Sequence, residues 1–422
     1  MPKWEELQRS LSLNINAPSQ HDVSKLELWY LQNISQQPPY KSSATIEKKL
    51  TLLKQEIVTF LNSVADITAT KASEKFDHLD GMNALQYASK KGYDVYLKSI
   101  LEKDNRAINL ATGAQLTPLH IAALYGHHFT VQILLEFGAS TTLKTRLRQS
   151  PAHLALSMPS TVNAVNKIDI MEKKEAIFCE ILKNNPGIIT ATDDSDNTLA
   201  HIAADNGFTS ILEDMRAHHP GVLRLKNSTS HSPLHRAILS NQDPCIHVLI
   251  QDESLLSISD KVGRLPIHYA ALSGKDSILE NLAKEPYLNA QDNQLKTPLM
   301  LAASQGHIDN VKFLIQKGAD VSLQDQYGKD VLYYAVMSLN TELVKWLIFN
   351  VDEIDINQQD KYGRTAIMSL LHETKKEDIE SQIINELVDD FLKAGIKLEL
   401  TDKYGNSLQN YIDSRAIVSF KN

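Results

Sequence analysis

A short block of apolar residues returns along the chain at a nearly constant interval. It is clearest over residues 117–123, which read Thr-Pro-Leu-His-Ile-Ala-Ala, and over residues 297–303, which read Thr-Pro-Leu-Met-Leu-Ala-Ala. A threonine or serine followed by proline begins a helix, because the hydroxyl accepts from a free backbone N–H and proline has no N–H to lose. A second apolar stretch follows, for example Val131, Leu134 and Leu135, with the spacing of a helix that buries one face. The pattern therefore predicts pairs of short helices.

The interval between blocks indicates the architecture. Seven of the nine gaps between successive threonine places lie between 32 and 35 residues, and the other two are 48 and 42 residues. The residues in that place are Asn83, Thr117, Ser150, Thr198, Ser232, Leu265, Thr297, Asp330, Thr365 and Ser407. With this period and the T-P-L-H-x-A signature, the chain resembles the ankyrin-repeat family over roughly residues 80–422. The resemblance implies an all-α solenoid, an array of about nine to ten helix-turn-helix repeats with short β-hairpin tips.

The two long gaps place insertions between the two helices of a repeat, near residues 158–174 and 372–381. Insertions in repeat proteins usually map to loops on one face of the array. We interpret both as tolerated surface loops, and a second contact site for a partner is the alternative.

Residues 1–79 lack the repeated block. An amphipathic helix is predicted there, because six apolar residues recur at helical spacing: Ile46, Leu50, Leu53, Ile57, Leu61 and Val64. Solenoids need capping elements at their ends. We therefore predict an N-terminal helical region, residues 1–79, that caps the array of residues 80–422. A small separate module that binds a partner is the alternative.

Composition and charge exclude several classes of protein. The net charge of −8 and the pI of about 6.0 argue against nucleic-acid binding, which needs a basic surface. The sequence has no run of 18 apolar residues, so no membrane span is expected. The first residues lack a signal-peptide pattern, and Cys179 and Cys245 are too few for a disulfide framework. We expect a cytoplasmic protein.

The polar residues of the block are expected to be structural. Five histidines lie in it about one repeat apart, too far to share a metal ion: His120, His153, His201, His235 and His268. Cys179 and Cys245 are interpreted as small core residues. The sequence contains neither the phosphate-binding nor the dinucleotide-binding glycine motif, nor the G-x-S-x-G motif of hydrolases. We predict no catalytic residue, no metal and no cofactor, and thus a protein that is not an enzyme.

The resemblance to the ankyrin-repeat family also implies where a partner is held. In that family partners contact the hairpin tips and the exposed side of the first helix, along the concave face. Carried onto this sequence, the candidate partner-binding residues at the tips are Arg264, Lys296, Lys329, Arg364, Tyr327, Tyr362 and Tyr404, and those at the end of the first helix are Leu124, Tyr125, Leu272 and Met337. The four cations share one place in successive repeats and predict a partner with an acidic surface. The alternative is that they balance neighbouring aspartates and that the tyrosines pack on the next tip.

These observations favour a scaffold for protein–protein interaction. Its composition resembles that of ankyrin proteins which intracellular bacteria secrete into the host cytosol, and a eukaryotic adaptor is the alternative source. A second hypothesis is an adaptor whose residues 1–79 recruit a machine such as a ubiquitin ligase while the repeats select the target. A third is an enzyme with a cryptic site, which none of the motifs supports.

Overall fold

The computed structural model describes residues 82–158, 164–374 and 381–419. The predicted N-terminal region, residues 1–79, lies outside the described residues, as do residues 159–163 and 375–380 of the two insertions. The chain divides into two compact units, unit 1 over Met1–Ile202 and unit 2 over Ala203–Asn422. Within the described residues the regular structure is helical, which confirms the all-α repeat fold.

Unit 1 contains three helix pairs. The helices are α1 (Ala84–Lys91), α2 (Asp94–Lys103), α3 (Pro118–Tyr125), α4 (His128–Glu136), α5 (Pro151–Ala155) and α6 (Ala164–Asn184). A 3₁₀ turn over Pro186–Thr190 follows α6, and the boundary between the units falls inside α7 (Leu199–Asn206). The odd-numbered helices are the first helices of the repeats, and the even-numbered helices are the second.

Unit 2 continues the alternation. Its helices are α8 (Thr209–His218), α9 (Pro233–Leu239), α10 (Asp243–Leu249), α11 (Pro266–Ser273), α12 (Asp276–Leu282), α13 (Pro298–Ser304), α14 (Ile308–Gln316), α15 (Val331–Met337), α16 (Thr341–Asn350), α17 (Ala366–Glu373), α18 (Ser381–Lys393) and α19 (Leu408–Ser419). Further 3₁₀ turns cover Pro220–Arg224 and Glu253–Ser257. Antiparallel β-bridges join Thr192 to Thr198 in unit 1 and Thr401 to Ser407 in unit 2.

The first helices begin at the predicted capping residues. The Thr117 side chain caps α3, and the Thr117 backbone N–H donates to Nδ1 of His120 at 3.2 Å. Because Nδ1 accepts, the proton is on Nε2, which donates to the carbonyl of Gln149 at the start of the next repeat, 3.1 Å away. Burial lowers the pKa of His120 to about 4, so the ring is neutral at pH 7. The histidine of the block therefore fixes its own helix and joins it to the following repeat.

The core lies between successive helix pairs. In unit 1 the first helices α1, α3 and α5 stack side by side, as do the second helices α2, α4 and α6. In unit 2 the first helices α9 to α19 stack in the same way. Ala122, Ala302 and Ala303 are fully buried where first helices meet, and their small side chains let the helices approach closely.

The insertion near residues 158–174 is helical from Ala164 onward, and the loop interpretation fails there. These residues extend the second helix of the repeat, so that α6 has 21 residues where α4 has 9. Lys174 lies at the junction, with a side chain that is fully buried. Its Nζ donates to the carbonyls of Ala123 (3.3 Å), Leu124 (3.0 Å) and Leu154 (3.1 Å). Those carbonyls end α3 and α5, where the helix dipole favours a cation.

Candidate functional site

Five successive tips of unit 2 share one turn geometry. Each begins with an aspartate: Asp260, Asp292, Asp325, Asp360 and Asp402. In the third of them, Oδ1 of Asp325 accepts the backbone N–H of Tyr327 at 2.8 Å and that of Lys329 at 2.9 Å. An aspartate that bonds the backbone two residues on stabilises a tight turn. The turn directs the side chain of its third residue outward.

Backbone hydrogen bonds connect each tip to the next. The Lys361 N–H donates to the carbonyl of Tyr327 at 2.7 Å, and the Lys403 N–H donates to that of Tyr362 at 2.9 Å. The fourth residue of the tip comes close to its neighbour as well. Gly363 has a φ of 75°, and a Cβ there would lie 3.1 Å from the backbone of the next tip. The tips are therefore held in register with one another.

An exposed apolar side chain projects from every one of these five tips. We call the set the tip row, and its members are Val262, Leu295, Tyr327, Tyr362 and Tyr404. Four of them are the third residue of their tip, and Leu295 is the fourth. Their exposed fractions run from 42% at Tyr362 to 72% at Tyr404. Exposed apolar side chains scattered singly are ordinary, whereas a contiguous set marks an interaction surface. The structure thus brings the three predicted tyrosines together at successive tips of unit 2.

The predicted cations occupy the same position in successive tips, but three of the four form ion pairs with carboxylates of the next repeat. Arg264 Nε lies 3.3 Å from Asp292 Oδ2, and Arg364 Nε lies 3.7 Å from Asp402 Oδ2. Lys329 Nζ lies 3.7 Å from a Glu373 carboxylate oxygen. The three cationic side chains are only 12–26% exposed. Their charges act chiefly between repeats.

The fourth predicted cation, Lys296, and three further lysines of the tips lie in different surroundings. Lys296 Nζ lies over the ring of Tyr334, 5.2 Å from its centroid. Lys261, Lys361 and Lys403 are exposed at the second place of their tips. Lys361, Lys403, Val262 and Leu295 are not among the residues predicted from the sequence. The recurring Asp-Lys-Tyr-Gly turns at 360–363 and 402–405 were the signal that could have found the lysines.

Tyrosine hydroxyls complete the tip turns. Tyr334 donates to Asp325 Oδ2 at 2.7 Å, and Tyr411 donates to Asp402 Oδ2 at 2.7 Å. Burial opposes ionisation of Asp402, but hydrogen bonds from Tyr411 and from the backbone and side chain of Asn406 outweigh it and lower its pKa to about 2. The Asp402 carboxylate therefore stays ionised, and the turn keeps its acceptor, far below neutral pH.

The predicted residues at the ends of first helices lie apart from the tips. Leu272 and Met337 are half-buried at the C-terminal ends of α11 and α15 in unit 2. Leu124 and Tyr125 end α3 in unit 1, where Leu124 is half-buried and Tyr125 is exposed. Tyr125 borders a groove beside α6, and its ring stacks on that of His127 with centroids 6.4 Å apart.

The described residues lack two other kinds of feature. In residues 82–158, 164–374 and 381–419, no group of three or more histidine, cysteine, aspartate or glutamate side chains is placed to hold a metal ion. Among the helices of the same residues, none combines the length and the apolar character that a membrane crossing requires.

Known proteins share the repeat with this chain. A family model for ankyrin repeats, built on three copies, matches residues 52–145 and 253–325. Over 243 residues the chain is 26% identical to an ankyrin repeat protein of fowlpox virus, which covers 56% of this chain and 34% of the viral protein. It is 26% identical over 184 residues to a Caenorhabditis elegans homolog of transient receptor potential cation channel subfamily A member 1, covering 42% of this chain and 15% of the channel.

A shorter match and a solved structure extend the comparison. An ankyrin repeat protein of Rickettsia felis is 34% identical over 84 residues, which are 20% of this chain and 21% of that protein. The chain thus spans 15% to 34% of the length of these three relatives. The ankyrin repeat domain of Bcl-3, a member of the IκB protein family, aligns over 51% of this chain and 97% of that domain, with 21% identity and a TM-score of 0.42.

Proposed function

Since this chain is an ankyrin-repeat protein, we propose that it is a non-catalytic scaffold that binds a partner protein through the tip row of unit 2. Ankyrin repeats are a protein–protein interaction module. The observation that carries the proposal is the exposed apolar side chain at each of five successive tips, Val262, Leu295, Tyr327, Tyr362 and Tyr404.

Tyrosine is suited to anchor such an interface. Its ring buries a large apolar area, and its hydroxyl still finds a hydrogen-bond partner. Interfaces are enriched in tyrosine, and a few such residues carry most of the binding energy. Tyr327, Tyr362 and Tyr404 are therefore the proposed anchors, and Val262 and Leu295 extend the apolar surface along the row.

The backbone of the tips supports the proposal because it is already ordered. The bonds from Lys361 to Tyr327 and from Lys403 to Tyr362 fix the distance between neighbouring anchors before a partner arrives. Association costs less when the surface loses little conformational freedom on binding. Leu272 and Met337, at the far ends of α11 and α15, are proposed to extend the contact along the first helices.

The charges around the tip row favour a partner with an acidic surface. Lys261, Lys361 and Lys403 are exposed beside the apolar side chains. Arg264, Lys329 and Arg364 are proposed to hold neighbouring repeats together, and Lys296 is proposed to add positive potential behind the row. Exposed charges at the rim of an interface mainly raise the association rate, and salt weakens that effect.

The test replaces the three anchors with serine, as Tyr327→Ser, Tyr362→Ser and Tyr404→Ser in one chain. Truncating an interface anchor typically costs about 1–2 kcal/mol or more, so the triple variant should lose about 3–6 kcal/mol of binding free energy, roughly a hundredfold or more in Kd. Proteins captured from eukaryotic cytosol are quantified by mass spectrometry for both chains. The partner so found is then purified and titrated against each chain.

A matched control carries Leu239→Ser and Phe349→Ser, two exposed apolar residues of unit 2 outside the tips. Both variants must retain the helical circular dichroism of the parent chain. The proposal requires a protein that the parent and the control bind equally and that the tip variant binds much more weakly. If every captured protein is retained by the tip variant, the tip row is not the binding surface.

A further inference from the structure

A groove in unit 1 lies outside the tip row. It has a volume of about 640 Å³ and lies where α3 ends, α4 begins and the N-terminal part of α6 passes. Tyr125 and Phe129 line one side, and the stretch from Asp169 to Lys173 lines the other. Gly92 and Asp94, from the preceding repeat, also border it.

The extension of α6 forms one wall of this groove, and a buried lysine holds the wall in place. Lys174 follows directly after the lining residues Glu172 and Lys173. Its Nζ donates to carbonyls at the ends of α3 and α5, as described above. Because the lysine joins α6 to both helices, the groove is a formed feature of the repeat that contains the insertion.

The groove presents large apolar side chains to solvent. Tyr125 is 52% exposed and Phe129 is 56% exposed, and both lie against the open volume. Ile170, from α6, also lines the groove. Three apolar side chains around one concavity resemble the apolar centre of a binding site with a polar rim.

The charge of the rim is negative. The carboxylates that border the groove are Asp94, Asp169 and Glu172. The cation among them is Lys173, whose Nζ lies 2.7 Å from Asp169 Oδ2 and offsets that carboxylate. His127 also borders the groove, and burial lowers its pKa, so the ring is neutral at pH 7. On α6 the two carboxylates that line the groove, Asp169 and Glu172, outnumber the one cation, Lys173, so this wall is negatively charged beside an apolar centre.

From this arrangement we infer that the groove binds a segment of a partner protein that presents a large apolar side chain flanked by lysine or arginine. The apolar side chain packs against Tyr125 and Phe129, and the flanking cation pairs with Glu172 on α6. The inference goes beyond the proposed function, because it concerns unit 1 and a basic segment, whereas the tip row belongs to unit 2 and favours an acidic surface. The insertion then contributes a second binding site.

The test selects a phage-displayed library of short random peptides on the full chain, then synthesises the most enriched peptide and measures its Kd by fluorescence polarisation. We expect enriched sequences in which leucine, phenylalanine or tryptophan neighbours lysine or arginine. Phe129→Ser should weaken the peptide by about tenfold or more. The pair Asp169→Asn and Glu172→Gln should weaken it several-fold at low salt and less at high salt.

Leu147→Ser is the matched control, because Leu147 is also 56% exposed in unit 1 but does not line the groove. It should leave the Kd unchanged, as should the triple tip variant, so this test and that of the proposed function fail independently. No enrichment, enrichment of acidic peptides, or a Kd indifferent to Phe129 would overturn the inference. So would concentration-dependent self-association in ultracentrifugation that Phe129→Ser abolishes, because the occupant would then be a second copy of the chain.

Discussion

Replacing Lys174 by methionine tests the physical account of the α6 extension. Methionine keeps the length and most of the volume of the side chain and removes the ammonium group. In the folded chain Nζ donates to three carbonyls. Each of these hydrogen bonds contributes about 1 kcal/mol to stability, so the substitution removes about 3 kcal/mol of favourable free energy.

The same substitution also removes an unfavourable contribution at neutral pH. Burial lowers the pKa of Lys174 from its ordinary 10.5 to about 8. That shift corresponds to about 3 kcal/mol of destabilisation when the group is protonated in both states, below pH 8. The two contributions oppose each other at pH 7, so Lys174→Met should change the free energy of unfolding by about 1 kcal/mol or less there.

The cancellation fails as the pH rises. Between pH 8 and 10.5 the unfolded chain binds the lysine proton and the folded chain does not, so the parent chain gains stability relative to the variant. At pH 10 the variant should be less stable by about 2–3 kcal/mol. Tyrosines titrate in the same pH range, but they do so equally in both chains and therefore do not affect the difference in the free energy of unfolding between them.

Urea unfolding followed by circular dichroism at 222 nm, for both chains at pH 7 and pH 10, measures this difference. Lys174→Arg, which stays protonated throughout, is the control and should gain no stability relative to Lys174→Met between the two pH values. A variant that is equally destabilised at pH 7 and pH 10 would refute the reasoning, because the buried ammonium would then carry no burial cost.

Three further predictions concern the repeats. Leu295→Gly should stabilise unit 2 by about 1 kcal/mol in urea unfolding, because Leu295 has a φ of 61°, a region that costs a side chain free energy. Gly363→Ala should destabilise it by about 1–2 kcal/mol, since φ is 75° and the new Cβ would lie 3.1 Å from the next tip. The free energy of unfolding should fall as the pH is lowered from 6.5 to 4, because in this range His120 binds a proton in the unfolded chain but not in the folded chain. His120→Gln should reduce this dependence on pH when unfolding is measured across the range.

The repeat and its helix starts could be predicted from the sequence because the signals are local. Thr117 and Pro118 sit within one turn of the helix they begin, and the period of about 33 residues repeats the signal. The same holds for the histidines, whose place in the block indicated a structural role before the bond from His120 to Gln149 was visible.

The ion pairs of the tip cations could not be predicted in the same way. Arg264 and Asp292 are 28 residues apart, and only the contact between neighbouring tips brings them together. The sequence left open whether these cations face a partner or an aspartate, because both arrangements need the same residue in the same place. The three-dimensional register of the tips distinguishes the two.

The N-terminal extension of α6 could not be predicted from the sequence either. The insertion breaks the repeat period, which favours a loop, whereas in the structure α6 begins at Ala164 and lies against α4 of the preceding repeat. Lys174 gave no sign of burial, since lysine is rarely buried without partners and its partners here are backbone carbonyls. Backbone acceptors carry no signature in a sequence.

The histidine that joins several of the first helices to the following repeat has a mechanical consequence. Met300 and Met368 stand in the histidine place of α13 and α17, and a thioether cannot donate a hydrogen bond to the next tip as His268 does to Lys296. Repeat arrays come apart at their weakest interface between neighbours. A molecule stretched between its termini in an optical trap should therefore release the repeats around residues 297–407 at lower force than those around residues 232–297. Tension on the chain would then expose the last tips of the row before the first.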